Sequence, residues 1–394
     1  MLVTIRPAPG GIGGVIAAPP SKSMAHRAVL CAALAVGRSH ITHLEFSKDI
    51  SATLSAAAQL CAAVDTGADD ATVQGLGHFL PLTAPVDCCE SGSTLRFLIP
   101  IASLTGQPVT FTGRGRLMER PQKPYLDLFD EKGISYEQAA GALTVRGTLT
   151  PGEYRLAGNV SSQFFTGLLF ALPLLGGGST LVSTTRLESR DYVAMTRDAL
   201  ARAGVKIDGE AERFAVPPSV YRFFDAAVEA DWSQAAFLLA AGALAGDVRL
   251  QGLSLPSAQG DSAALALFRR FGADIATDAG GIRCRRAPLH GIDIDAAQIP
   301  DLVPILAVTA AFAEGVTHIF HAERLRIKES DRLAATADGL RRLGARVEET
   351  ADGLRIHGGG PLTGGEVDGC NDHRIVMSMA VAALRCSGPA YCRW

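Results

Sequence analysis

A helix, a small residue and a short strand return in this chain about every seventy residues. The copies read Leu128-Phe129-Asp130-Glu131-Lys132-Gly133-Ile134, Leu200-Ala201-Arg202-Ala203-Gly204-Val205, Leu267-Phe268-Arg269-Arg270-Phe271-Gly272-Ala273 and Leu340-Arg341-Arg342-Leu343-Gly344-Ala345. Their glycines stand 71, 68 and 72 residues apart, and Leu60-Cys61-Ala62-Ala63-Val64 fits one copy earlier, 72 residues before Gly133. Glycine after a helix takes the left-handed position that ends it, so the cap at Cys61 is expected to be weaker or differently shaped. An ordinary run of helix-to-strand exits would not keep this period over five copies; fixed spacing is the signature of a repeated supersecondary unit. A sixth glycine would fall beyond Trp394, so the array is expected to stop partway through a unit. The tail Cys386–Trp394 shows no clear strand-helix pattern.

Each unit holds a second helix and short strands rich in Val, Ile and Leu, such as Pro108-Val109-Thr110-Phe111 and Gly246-Asp247-Val248-Arg249-Leu250. That predicts an α/β or α+β repeat. The 394 residues suit about two to three ordinary domains. With 47% hydrophobic and 20% charged residues the chain is globular. A net charge of −3 argues against a general nucleic-acid or acidic-membrane surface, so any anion site must be a local cluster of cations. The eight Cys lack metal spacing and read as reduced, mostly buried thiols of a cytoplasmic protein. Met1–Pro7 reads as a first strand, not a signal peptide, and no apolar stretch is long enough to span a membrane.

Five predicted helices begin with a small polar cap and carry a cation in the first turn. They start at Ser21-Lys22-Ser23 with Arg27, Ser91-Gly92-Ser93-Thr94-Leu95-Arg96, Glu188-Ser189-Arg190-Asp191, Lys328-Glu329-Ser330-Asp331-Arg332 and Asn371-Asp372-His373-Arg374. A cation is the wrong charge for the positive end of a helix dipole. Five such placements point to an anionic ligand, because helix N–H groups with Arg or Lys make an anion site.

The first of these helices is capped by Ser21 or Ser23 and runs to about Val36, with Gly37 as its stop. In the second, Gly92 allows close approach of a ligand, and Arg96 stands in an apolar context. Ser161-Ser162-Gln163 opens another apolar helix with a cap suited to a phosphate or polyol, although plain capping needs only one hydroxyl. Arg120 and the Arg186–Arg190 cluster lie beside strand ends. Lys328 sits between Arg326 and Arg332, which would lower its pKa toward proton-transfer range, with Glu329 beside it as an acid or base. Asp301 reads either as an N-cap or as a catalytic carboxylate. The run Gly10–Gly14 is no dinucleotide loop, because Pro19-Pro20 follows and no helix opens from it.

Together the motifs Pro20-Ser21-Lys22-Ser23 with Arg27, Glu90–Arg96, Ser161-Ser162-Gln163, Glu188–Tyr192, Pro300-Asp301, Arg326–Arg332 and Asn371–Arg374 resemble the enolpyruvyl transferases, specifically the 5-enolpyruvylshikimate-3-phosphate synthase family. The resemblance runs from Pro19 to about Leu384. It implies a two-domain inverse α/β barrel of βαβαββ units, the sixth incomplete, with one domain at 20–227 and the other joining 1–19 to 228–394. It implies substrates held in the cleft between domains, and transfer of the enolpyruvyl group of phosphoenolpyruvate to the 5-hydroxyl of shikimate 3-phosphate with release of phosphate. No cofactor or metal is implied, glyphosate is expected to compete with phosphoenolpyruvate, and a monomer is expected.

Carried over by motif, Ser23, Arg27, Ser161, Ser162, Gln163, Ser189 and Arg190 hold shikimate 3-phosphate, and Lys22 touches both substrates. Gly92, Arg120, Arg332 and Arg374 hold phosphoenolpyruvate, and Arg96 shapes that pocket. Asp301 is the base toward the hydroxyl, Lys328 and Glu329 the proton-transfer pair at C3, and His373 supports them.

Two other readings stand beside this one. A UDP-N-acetylglucosamine enolpyruvyl transferase would carry a reactive Cys after its phosphoenolpyruvate motif, and Gly113–Arg120 has none. A non-catalytic anion-binding relative would explain the end at Trp394, where the family continues with a further Lys, but Asp301, Lys328 and Glu329 are intact.

Overall fold

The computed structural model describes residues 2–210 and 212–393. Contacts divide the chain into two compact units, Pro20–Glu229 and residues 1–19 with 230–394. The first unit holds helices α1 (Lys22–Leu34), α2 (Lys48–Leu60), α3 (Gly92–Ala102), α4 (Lys123–Lys132), α5 (Ser162–Ala171) and α6 (Arg190–Arg202). The second holds α7 (Trp232–Ala245), α8 (Ala264–Phe271), α9 (Val303–Phe312), α10 (Arg332–Arg342) and α11 (His373–Ala383).

The repeat is plainest around α5. Strands Glu153–Leu156 and Ser179–Ser183 run parallel, joined through α5. After α6 the chain returns as the hairpin Asp208–Glu210 and Arg213–Val216, whose second strand pairs antiparallel with Ser179–Val182. Five four-stranded sheets follow this order among the described residues. Two of them take their first strand from a distant stretch. Ala226–Ala227 pairs parallel with Ile41–Thr42, and Ile12–Ala17 pairs parallel with Gly246–Gln251. Each such strand lies just before the chain passes from one unit to the other. This is the mixed α/β repeat expected from the spacing.

The sixth sheet has three strands among the described residues. Gly365–Asp368 and Ala390–Arg393 run parallel, joined through α11, and Leu2–Ile5 pairs antiparallel with Ala390–Arg393. The first strand of the chain thus stands where the other sheets hold a hairpin strand. This corrects the expectation of a patternless tail: Ala390 and Cys392 alternate inward with Tyr391 and Arg393 outward, a period of two too short to stand out in sequence.

The first helix of each unit is buried nearly all round, and the second is amphipathic. In α9 every residue from Val303 to Ala311 is buried, whereas α10 exposes Arg341 and Arg342. Phe97, Phe164, Phe165 and Phe170 fill the core where α3 meets α5. Gly133 and Gly272 cap α4 and α8 in the left-handed region, while Cys61 caps α2 at φ −161°, a different shape as expected. One boundary differs. Helix α1 ends at Leu34 and strand Val36–Thr42 begins at once, because Ala35 already has extended backbone. Gly37 is therefore no helix stop; it sits in the strand opposite Gly75.

Candidate active site

In the first unit, Ser21 caps α1 by accepting from Met24 N. Lys22 Nζ donates to Asp49 Oδ2 at 2.6 Å, and Asp49 lies in the first turn of α2, the favourable end for an anion. Arg27 is 2% exposed. Its Nε donates to Thr196 Oγ1 at 2.9 Å, Nη1 to the Ser23 carbonyl at 2.7 Å, and Nη2 to the Tyr192 carbonyl at 3.0 Å. Burial lowers its pKa to about 10, against the opposing influence of Tyr192. Arg27 thus braces α1 against α6 while remaining charged at neutral pH.

At the start of α3, Ser91 accepts from Thr94 N at 3.1 Å. A methyl group on Gly92 would stand 2.7 Å from Nη1 of Arg120, which is 6% exposed. A guanidinium so close to the first turn of a helix is an arrangement that binds anions. Arg96 turns elsewhere. Its Nη1 donates to Gln163 Oε1 at 2.8 Å, its Nη2 to the Pro121 carbonyl at 3.1 Å, and its guanidinium lies 4.8 Å from the centre of the Phe164 ring. Gln163 in turn donates to Ser93 Oγ at 3.0 Å. The structure therefore brings Gly92 with Arg120, and Ser93 with Arg96 and Gln163.

Ser161 caps α5 by accepting from Gln163 N, and Ser162 is buried behind it. Ser189 is buried at φ 51° just before α6, a left-handed conformation that costs a non-glycine residue energy. The Arg190 side chain is mostly exposed, 4.0 Å from Asp191.

In the second unit one cation organises a group of carboxylates. Arg332 is 2% exposed. Its Nη1 donates to Asp301 Oδ1 at 2.9 Å, its Nη2 to Glu329 Oε2 at 2.7 Å, and its Nε to Asp372 Oδ2 at 2.8 Å. Arg374 Nη2 donates to the other oxygen of Asp301 at 3.1 Å, and Lys328 Nζ lies 4.0 Å from Asp301 Oδ1. Asp372 also accepts from Ser330 Oγ and from Arg374 N, which caps α11. His373 stands at the edge, 3.9 Å from Asp372 Oδ1. Three carboxylates thus face three cations, the balance that lets charges be buried.

The same packing sets the proton affinities. Burial lowers the pKa of Lys328 to about 8; Asp301 opposes this, and Arg332 and Arg324 add to it. Burial opposes ionisation of Asp372, yet Arg332 outweighs it and holds the carboxyl below its ordinary range. Burial also works against the charge on Arg332, and Glu329, Asp372 and Asp301 more than compensate.

Two expectations need correction. Asp301 is no N-cap: it lies in the short helical turn Pro300–Leu302, and its oxygens face Arg332 and Arg374. The segment Lys328–Arg332 does open a helix as expected: α10 starts at Arg332, capped by Asp331. Lys328 is depressed mainly by burial rather than by flanking cations, since Arg326 turns to Asp331 and Glu349. Sequence reasoning also missed Asp49 and Asp372 as partners. Both occupy helix starts where a carboxylate looks like routine capping, so the signal was present but not specific.

The family model for EPSP synthase (3-phosphoshikimate 1-carboxyvinyltransferase) matches residues 7–392. The chain is 43% identical to the 3-phosphoshikimate 1-carboxyvinyltransferase of Clostridium kluyveri over 97% of its own length and 90% of that protein. It is 44% identical to the enzyme of the same name from Clostridium novyi, over 98% and 92%. Among solved structures, the EPSP synthase of Acinetobacter baumannii superposes with a TM-score of 0.83 at 26% identity, covering all of this chain and 94% of that one. The enolpyruvyl transferase NikO from Streptomyces tendae, at 21% identity and TM-score 0.77 over all of this chain and 92% of that one, shares the fold. The chain therefore belongs to the EPSP synthase (3-phosphoshikimate 1-carboxyvinyltransferase) family.

Proposed function

We propose that this chain transfers the enolpyruvyl group of phosphoenolpyruvate to the 5-hydroxyl of shikimate 3-phosphate, within the shikimate pathway to aromatic amino acids. The observation that carries the reading is family membership along nearly the whole chain, and the assembly of Asp301, Lys328 and Glu329 around Arg332 supports it.

Asp301 takes the proton from the 5-hydroxyl as its oxygen bonds to C2 of phosphoenolpyruvate, and C3 is protonated in the same stage. Phosphate then leaves C2 of the tetrahedral adduct, and loss of a proton from C3 restores the double bond. Lys328 and Glu329 move the proton at C3. A lysine with a pKa of about 8 can both donate and accept near neutral pH. Arg332 holds Asp301 and Glu329 in place, and with Arg374 faces the phosphoenolpyruvate anion. His373 adds support at the edge of the group.

Gly92 and Arg120 take the phosphoenolpyruvate anion at the first turn of α3, and Arg96 shapes that pocket by fixing Gln163. Lys22, Ser23, Ser161, Ser162, Gln163, Ser189 and Arg190 hold shikimate 3-phosphate. Arg27 serves that group by bracing the carbonyls of Ser23 and Tyr192. No cofactor enters this scheme. Glyphosate is proposed to compete with phosphoenolpyruvate, and the protein to act as a cytoplasmic monomer; free thiols throughout the described residues suit a reducing compartment. No helix among the described residues is long and apolar enough to cross a membrane.

Product analysis by proton and phosphorus magnetic resonance tests the reading. The expected result is a new vinyl ether on shikimate 3-phosphate with one equivalent of phosphate. Consumption of phosphoenolpyruvate with UDP-N-acetylglucosamine instead would overturn it.

A further inference from the structure

The first unit contains a buried histidine that the mechanism above does not use. His26, on α1, is 1% exposed. Its Nδ1 lies 2.7 Å from Thr53 Oγ1 on α2, and Thr53 Oγ1 lies 2.6 Å from Thr94 Oγ1 on α3. Thr94 Oγ1 lies 2.7 Å from Ser91 Oγ, the cap of α3. Thr53, Thr94 and Ser91 are as deeply buried as His26. Four side chains therefore form one line from the interior of α1 to the residue before Gly92, with the Asp49 carbonyl beside it at 3.3 Å from Thr53 Oγ1 and 3.5 Å from Thr94 Oγ1.

The line has a direction. His26 Nε2 is buried with no hydrogen-bond partner among the described residues. A buried N–H without an acceptor is rarer and costlier than a buried lone pair without a donor. The proton of neutral His26 therefore belongs on Nδ1, which donates to Thr53. Burial also pushes the imidazole toward neutrality. Thr53 then passes its own proton to Thr94, which is closer than the alternative acceptor, the Asp49 carbonyl at 3.3 Å. Thr94 donates to Ser91. Ser91 Oγ now accepts twice, from the hydroxyl and from the backbone N–H of Thr94, so its own O–H is directed away from Thr94. The other tautomer would reverse every hydroxyl and turn Ser91 back into the interior.

We infer that His26 is a positioning residue: through Thr53 and Thr94 it fixes the polarity of the Ser91 hydroxyl and the seating of the α3 start, and so tunes affinity for the phosphoenolpyruvate anion. Asp49 lies one turn before Thr53 on α2, and its carboxylate pairs with Lys22. Helix α2 thereby carries both the counter-charge of the α1 cation and the middle of the relay to the α3 turn. This inference rests on the proposed function.

Thr53→Val keeps the shape and breaks the line; Thr53→Ser and His26→Asn keep a hydroxyl and an Nδ1-like donor. The expected result for Thr53→Val is a KM for phosphoenolpyruvate raised about tenfold. Its kcat and its KM for shikimate 3-phosphate should stay within about twofold, and Thr53→Ser and His26→Asn should behave as wild type. A purely structural role would lower Tm and shift both KM values together, or neither, and that outcome overturns the inference. Nitrogen-15 spectra of histidine-labelled protein, with His26 assigned by its loss in His26→Asn, should show the Nδ1–H tautomer. An Nε2–H signal overturns the relay whether or not the enzyme turns over. Absence of turnover in wild type would instead overturn the functional reading, and with it the affinity claim.

Discussion

Arg332 and Asp372 form a buried ion pair in which Nε meets Oδ2 at 2.8 Å, the arginine 2% exposed and the aspartate fully enclosed. Removing one partner of such a pair strands a charge, which typically costs about 3–5 kcal/mol. Asp372→Ala leaves Arg332 its pairs with Asp301 and Glu329, so it should lower the unfolding free energy by less than that, about 1–3 kcal/mol in urea titration. The carboxyl is held below its ordinary range in the fold, so its stabilisation is present above the unfolded carboxyl's pKa and lost as pH falls through the lower folded value. Wild type should therefore lose stability steeply below about pH 4, and Asp372→Ala less steeply.

Lys328 gives a second pH dependence, of opposite origin. Its folded pKa is depressed to about 8, so the folded state loses the proton before the unfolded chain does. Stability should be greatest above the unfolded lysine range, decline as pH falls toward 8, and level off below it. Activity that needs the protonated amine should fall as pH rises through about 8. A pH profile of kcat/KM should show that limb, and Lys328→Arg should be slow at every pH, because arginine keeps its proton and cannot exchange it at C3.

Gly92→Ala should push the Arg120 guanidinium away, since the added carbon would lie 2.7 Å from Nη1. The KM for phosphoenolpyruvate should rise about tenfold, with glyphosate inhibition weakened alongside it. Steady-state kinetics with and without the inhibitor checks both. Unchanged values would remove Gly92 from the site.

Arg96→Lys should lose the two-armed grip on Gln163 and Pro121 and the stacking on Phe164. The expected cost is about 1–3 kcal/mol in chemical denaturation. Gln163 should loosen with it, raising the KM for shikimate 3-phosphate, and the KM for phosphoenolpyruvate should rise as well because Arg96 shapes that pocket.

The repeat was legible because glycine after a helix marks a backbone conformation, and conformation repeats with the fold. The motif residues were legible for a related reason: Arg332 or Lys328 in a helix-start context has few roles apart from charge. What could not be read was where each side chain turns. Arg96 and Arg27 look like anion ligands in sequence, yet both are engaged by neighbouring helices. Asp372 looks like a cap, and is one, but it is also the counter-charge of a residue forty positions earlier. The last strand was missed because a four-residue alternation carries little signal until its partner Leu2–Ile5 is known.

The central claim is that the carboxylate facing Arg332 and Arg374 performs the proton chemistry of enolpyruvyl transfer. The most direct measurement is phosphate release from phosphoenolpyruvate and shikimate 3-phosphate by wild type and by Asp301→Asn, with circular dichroism confirming that both are folded. Wild type should release phosphate only when both substrates are present, and the folded variant should be slower by about 10²–10⁴-fold. Release at the wild-type rate by folded Asp301→Asn would contradict the account.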